Sequence, residues 1–167
     1  YGRGLATPAE REKLYLNANH FPEELNFPDE YFDAIILHKV LHYLTPEQIE
    51  EGFKKIFRWL APGGKVFIDV VTPHHSLFGK EILETYEKRW REGNPWPGYG
   101  FNSCELAGER AKATTETIHL LDHRPLLRTL KKLKFTIEQA AFCEYDNGEP
   151  GSRPNGKETF GIIVRKL

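Results

Sequence analysis

The chain of 167 residues contains no methionine, not even at position 1, and opens on Tyr1-Gly2-Arg3-Gly4 with no strand before it. Such a start is expected of a chain that begins inside a domain. Two cysteines, Cys104 and Cys143, lie far apart, which excludes a disulfide framework and a cysteine metal motif. A reducing, cytoplasmic setting is the expectation. No stretch approaches the ~20 apolar residues of a membrane-spanning helix, and no secretory leader is expected. Charge of one sign is missing too. Lys and Arg number 23 against 24 Asp and Glu, for a net charge of −1. That balance argues against a general nucleic-acid or membrane-surface binder, which carries a basic excess. Internal repeats and a second domain are also absent, so residues 1–167 read as a single domain.

What is present is ordinary for a soluble globular protein: 40% hydrophobic and 28% charged residues, in a length sufficient for one real core. The most informative stretch runs from Phe27 to Pro73. Asp33-Ala34-Ile35-Ile36-Leu37 is a short apolar run, the pattern of a strand buried on both faces. Thr45-Pro46-Glu47-Gln48 opens a helix, with Thr45 as cap, Pro46 at the first helical position and Gln48 closing a capping box. Ile49, Phe53, Ile56, Phe57 and Leu60 recur at helical spacing on one face. Pro62-Gly63-Gly64 ends the helix, and Val66–Val71 is a second apolar strand. The unit is strand–helix–strand, which implies two parallel strands joined by a right-handed crossover.

The series Phe27–Asp33, Val40–Leu44 and Leu60–Val70, in this order and at this spacing, resembles class I S-adenosylmethionine (SAM)-dependent methyltransferases. It is similar to the stretch from the loop before their fourth strand through their fifth. The resemblance implies an α/β fold, a Rossmann-like doubly wound, mostly parallel sheet with an antiparallel C-terminal strand pair. It also implies that the family's N-terminal strands, glycine-rich loop and ribose-binding acid lie outside these residues. Gly2-Arg3-Gly4 is no substitute, because such a loop must follow a strand and open a helix. Tyr1–Glu12 resembles the tail of the helix after the family's second strand.

Further expectations follow the family order. Lys13–Asn17 resembles the third strand, and Asn19-His20-Phe21 follows at its carboxyl end. There the family usually carries an acid that binds the adenine amine, and the next backbone N–H meets a ring nitrogen. Asn19 departs from that pattern, but its side-chain carbonyl can accept from the amine; equally, Asn19 can simply turn the chain. His38 ends the fourth strand, where open α/β sheets bind ligands and the family places a cofactor contact. His42, one turn on, reads as packed or capping. Residues 72–116 form an insertion after the fifth strand, the family's variable cover over the substrate. Within it Ile82, Leu83, Tyr86 and Trp90 have helical spacing. His74, Trp96, Tyr99 and Phe101 are the candidate substrate-binding residues, and loop packing explains the aromatics as well. Asp122 fits an N-cap before a helix with Leu126, Leu127, Leu130 and Leu133 as its apolar stripe. Phe135–Tyr145 and Glu158–Arg165 resemble the closing antiparallel pair.

The implied activity is SAM-dependent methyl transfer to a small-molecule acceptor, with SAM as the cofactor. Methyl transfer from a sulfonium needs in-line positioning and exclusion of water, and a base only if the acceptor must lose a proton. His38, His74, His75 and His119 are of the residue type that serves as base, but each reads equally as a packing or surface group, so no catalytic residue is assigned. Metal ligands are not expected. Two other readings stay open: a methyltransferase-like scaffold without activity, and another nucleotide-binding Rossmann enzyme. Oligomeric state and the acceptor atom are not fixed by the sequence.

Overall fold

The computed structural model describes residues 15–75, 78–103, 106, 117–144 and 155–167. The expected helix tail at Tyr1–Glu12, Cys104 and most of the Asp146–Lys157 connection lie outside them. In chain order the elements are β1 (Phe32–His38), a 3-10 turn (Leu41–Tyr43), α1 (Pro46–Trp59), β2 (Leu60–Val71), α2 (Lys80–Arg91), β3 (Phe101–Asn102), β4 (Thr117–Ile118), α3 (His123–Lys132), β5 (Thr136–Cys143) and β6 (Thr159–Arg165). Four strands form one sheet in the order β1-β2-β6-β5, and β3 pairs with β4 apart from it. β1 runs parallel to β2; β6 runs antiparallel to both β2 and β5. The strand–helix–strand unit and the closing antiparallel pair are therefore present as the sequence predicts.

Local chemistry explains the boundaries. Thr45 Oγ1 accepts from the Gln48 amide at 3.2 Å, and Gln48 Oε1 accepts from the Thr45 amide at 2.8 Å, so two N-terminal donors of α1 are satisfied reciprocally. Pro46, which lacks an N–H, occupies a position that needs none. At the other end, Pro62-Gly63-Gly64 bulges inside β2. The pairing moves from Leu60 to Lys65 along β2 while it moves only from Phe32 to Ala34 along β1. Gly63 takes a φ of 81° there, a left-handed conformation that glycine adopts without a Cβ clash. Its N–H donates to Lys166 O at 2.8 Å, tying the bulge to the residue that follows β6.

The core lies on one face of the sheet. Val66, Ile68, Val70, Phe160, Ile162 and Val164 meet Ile49, Phe53, Ile56 and Trp59 of α1 and Leu126 and Leu130 of α3. Each such fully buried side chain contributes about 1.5–3 kcal/mol relative to exposure. Phe57 and Phe135 pack edge to face, with ring centroids 5.0 Å apart. Asp122 caps α3 by accepting from the Arg124 amide at 2.8 Å.

Two expectations are corrected. Lys13–Asn17 is not a strand over its described part: residues 15–17 are irregular, with Tyr15 and Leu16 89% and 88% exposed. A strand needs a ladder partner for its backbone groups, and no described strand lies beyond β1 to supply one. Nor is the first apolar strand covered on both sides. Leu37 is buried, but Ile36 is 72% exposed, because both α1 and α3 pack on the same face and no described element covers the other.

α2 leaves the end of β2 and stands over the carboxyl end of the sheet. Arg124 holds it there. Its two terminal nitrogens bond Glu87 Oε2 and Oε1 at 3.0 and 2.6 Å, and its Nε bonds Asp122 Oδ2 at 2.8 Å. The guanidinium also lies 5.1 and 5.0 Å from the rings of Tyr86 and Trp90. The capping box gives a direct test: Thr45→Ala should destabilise the fold by about 1 kcal/mol while Thr45→Ser changes little. Urea unfolding followed by circular dichroism measures it; equal midpoints for the alanine and wild-type proteins would show that the box contributes nothing.

Candidate functional site

The parallel register sets His38 directly opposite Asp69 at the carboxyl end of β1 and β2. Asp69 Oδ1 accepts from His38 Nδ1 at 2.8 Å, and Asp69 Oδ2 lies 3.3 Å from Lys39 Nζ. A carboxylate only accepts, so the contact places a proton on Nδ1 of His38. Lys39 turns the chain out of the sheet with a φ of 54°, a conformation uncommon outside glycine and frequent at ligand-binding ends. Burial lowers the Lys39 ammonium from its usual range, against the attraction of Asp69. Asp69 and Lys39 were not among the sequence candidates. The signal was there: a lone acid inside the apolar run Val66–Val71.

The second cluster is Asn19-His20-Phe21. One N–H of the Asn19 side-chain amide donates to Glu24 O at 3.4 Å, and Oδ1 is an acceptor. The backbone N–H of His20 donates to Glu24 Oε2 at 2.8 Å. The N–H expected to meet a ring nitrogen is therefore engaged by an exposed carboxylate, which a bound ring would have to displace. Phe21 lies across α1 at Gly52: a Cβ on Gly52 would sit 2.5 Å from the tip of its ring. Phe21 also lines a cavity of about 280 Å³ along the outer edge of β1, with Ile36, Leu37 and Val40. The structure thus sets Phe21 between α1 and the side of β1.

A third group gathers beyond the strand ends, where the insertion returns. His119 donates its backbone N–H to His42 O at 2.9 Å and its Nδ1–H to Leu44 O at 3.1 Å. Trp96 and Tyr99 each place a ring 5.3 Å from the His119 ring. The three aromatic candidates differ in placement. Trp96 is 7% exposed and belongs to the main core, and Phe101 is 6% exposed beneath Arg89. Tyr99 is 42% exposed. Gly98 lets this loop approach the chain before α3. Its carbonyl accepts from the Leu120 amide at 2.9 Å, and a Cβ there would run into the Leu120 carbonyl oxygen. His74 lies apart, edge-on to Phe142 at 5.8 Å, with its carbonyl accepting from Asn155 Nδ2 at 2.9 Å. Burial lowers its imidazole from the usual range. Cys143 is a free thiol, and no cluster of three metal-ligating side chains occurs among the described residues. No helix among the described residues is long and apolar enough to cross a membrane.

Residues 7–68 match a family described as "Methyltransferase domain". The ubiquinone/menaquinone biosynthesis C-methyltransferase of Vibrio parahaemolyticus is 30% identical over 107 residues, covering 64% of this chain and 35% of the relative. The protein of that name from Vibrio cholerae is 36% identical over 74 residues, covering 44% of this chain and 24% of the relative. The chain thus spans about a third of the length of the curated relatives it matches, or less. Among solved structures, a SAM-dependent methyltransferase from Methanosarcina mazei superposes with a TM-score of 0.59 at 21% identity, over 86% of this chain and 63% of that one. The 1,6-didemethyltoxoflavin-N1-methyltransferase of Burkholderia thailandensis, solved with its substrate and S-adenosylhomocysteine, gives a TM-score of 0.52 at 16% identity, over 86% of this chain and 47% of that one. At these identities the structures share the fold.

Burial makes the site's histidines a source of pH dependence. His42 falls from the ordinary 6.5 to about 4, through burial first and then through nearby Lys39. His119 falls likewise to about 4, through burial, against its hydrogen bond to Leu44 O. Both stay neutral in the folded protein while they protonate in the unfolded one. Stability is therefore at its full value above pH 6.5 and is lost as pH falls from 6.5 to about 4. Denaturant midpoints measured across that window should decline steeply, and His42→Asn or His119→Asn should flatten the decline. A midpoint independent of pH through the window in the wild-type protein would refute the burial argument.

Proposed function

We propose, from the premise that this chain carries part of a class I SAM-dependent methyltransferase domain, that the protein transfers a methyl group from SAM to a small-molecule acceptor. The observation that carries this reading is the coincidence of two things. The methyltransferase match spans residues 7–68, and the polar groups at the carboxyl end of β1 and β2 within and beside it converge where open α/β sheets bind ligands. SAM, when bound, supplies an electrophilic methyl on a sulfonium. The chain's own residues position and shield.

In this reading Asn19 Oδ1 accepts from the adenine amine and Phe21 packs against the ring. One amide N–H of Asn19 donates to Glu24 O, and its side-chain oxygen has the polarity the amine requires. His38, fixed by Asp69, borders the reacting end. Residues 72–116 act as the cover. Arg124 anchors their helix α2, and the aromatic loop that follows shapes the acceptor side, with Tyr99 as its open ring and Trp96 and Phe101 as buried anchors. His74 contributes at the outer rim. The names of the ubiquinone/menaquinone relatives point toward a cyclic organic acceptor.

Calorimetry of S-adenosylhomocysteine against the full-length protein tests the proposal. Micromolar binding is expected, weakened about tenfold in Asn19→Leu, since one hydrogen bond to the amine is worth on the order of 1 kcal/mol. Absence of binding by the full-length protein would overturn it.

A further inference from the structure

His38 and Asp69, at the carboxyl ends of β1 and β2, form a pair that stability does not explain. The His38 side chain is 73% exposed and that of Asp69 32%, and a pair so open to solvent contributes little to folding. The pair is nevertheless tightly placed. The Asp69 carbonyl accepts from the Lys39 amide at 3.2 Å. Its carboxylate oxygens take different partners, Oδ1 the His38 ring at 2.8 Å and Oδ2 the Lys39 ammonium at 3.3 Å. With Nδ1 as donor, the neutral His38 ring carries its lone pair on Nε2. Among the described residues, Nδ1 makes the ring's only hydrogen bond. The cross-strand neighbour of Asp69 on β6 is Gly161, which has no side chain and leaves that flank of the carboxylate open. A cavity of about 330 Å³ borders His38, Asp69 and Gly161, on an apolar floor that includes Ile36, Phe67 and Ile163.

We propose that His38 is the general base of the methyl transfer and Asp69 its positioning residue, for an acceptor that is a phenol or an enol. The proposal rests on the methyltransferase reading. A hydroxyl of this class attacks well only as it loses its proton, and its acidity, near the tyrosine value of about 10, is within reach of an imidazole. A neutral amine needs no base, and an aliphatic alcohol is too weak an acid. As the acceptor's oxygen, or the ring carbon beside it, bonds the methyl carbon, the carbon–sulfur bond breaks and its electron pair stays on sulfur. The hydroxyl proton passes to Nε2 of His38 and from there to water. The positive charge lost at sulfur thus reappears on the imidazolium, where Asp69 Oδ1 stabilises it from 2.8 Å. Because the proton moves as the bond to sulfur breaks, the imidazolium does not face a full sulfonium charge. Asp69 acts through orientation: by accepting from Nδ1 it makes Nε2 the nitrogen that takes the proton.

4-Nitrophenol is the probe, because its ionised form absorbs visible light, and the sample is the full-length protein with S-adenosylhomocysteine. At a pH where the free probe keeps its proton, binding should raise the phenolate band. The band should be lost in His38→Gln, whose side chain is polar but takes no proton, and should fall in Asp69→Asn. His38 is exposed and Asp69→Asn keeps the side chain's shape, so both variants should fold. Nitrogen-15 NMR reads the positioning role without any ligand. The neutral wild-type ring should hold its proton on Nδ1, whereas the amide of Asp69→Asn can donate to Nδ1 and move the proton to Nε2. A wild-type ring protonated on Nε2 alone, no binding of the probe, or a band of equal strength in wild type and His38→Gln overturns the inference. Calorimetry of S-adenosylhomocysteine on the same sample separates the two readings. Nucleoside binding without the phenolate band removes this inference alone. Absence of nucleoside binding removes the methyltransferase reading and, with it, the role of the base, whatever the band shows.

Discussion

The alternation of side chains along β2 is the constraint on which core and site both depend. Val66, Ile68 and Val70 point to the face covered by α1 and α3, and Phe67 and Asp69 point to the opposite face. Because the side-chain period of a strand is two, a slip of one residue exchanges the faces. Asp69 would then lie under the helices as an unpaired buried charge, and Ile68 would turn outward. The register with β1, Leu37 to Ile68 and His38 to Asp69, translates that alternation into chemistry: Leu37 goes to the core, and His38 meets the one carboxylate in the strand. The antiparallel pairing of β2 with β6, from Lys65 with Arg165 to Val71 with Thr159, fixes the same register from the other side. The helical face that buries the core therefore also determines which residues stand at the ligand end.

The insertion depends on a second, more local device. Asp122 is fully buried, and a buried carboxylate is tolerable only when paired and hydrogen-bonded. It accepts from the Arg124 amide and guanidinium together. Arg124 then reaches Glu87 on α2, whose carboxyl it holds below the usual range chiefly through its hydrogen bonds. One side chain thus joins the cap of α3 to the helix of the insertion. The close approach of Gly98 to Leu120 draws in the aromatic loop behind it. Trp96 becomes part of the core while Tyr99, three residues on, stays at the rim.

The parts of this architecture set by local rules were legible in the sequence. Thr45, Pro46 and Gln48 announced the start of α1, the spacing of Ile49, Phe53 and Ile56 its buried face, Asp122 the start of α3, and the two apolar runs the parallel strands. The closing antiparallel pair was legible through the family resemblance, with Thr136–Cys143 and Thr159–Arg165 inside the expected spans. What was hidden depends on contacts far apart in sequence. The His38–Asp69 pair spans 31 positions and exists only through the register. The joining of His119 to Leu44 spans 75, and no local pattern marks the two as partners. Lys13–Asn17 was misread because strand propensity says nothing of whether a ladder partner is at hand. The exposed Ile36 was misread because an apolar run does not reveal which face the helices cover.

The charge state of the strand-end histidines bears on how such a site would handle a cationic donor. A protonated imidazole about 4 Å from a sulfonium would oppose it by roughly 1–4 kcal/mol, the range between bulk water and a protein surface. His42 and His119 are kept neutral by burial rather than by a partner acid, since desolvation is the leading cause for both. They therefore offer hydrogen-bond acceptors without adding positive charge. Asp69, on the other side of the strand ends, brings a carboxylate already shared between His38 and Lys39. Among the described residues, the charged groups acting on these two rings are Lys39 and Asp69 at His42 and Glu47 at His119, so the field there is not set by the imidazoles themselves. On the proposed reading, selectivity falls to shape and hydrogen bonding at the rim.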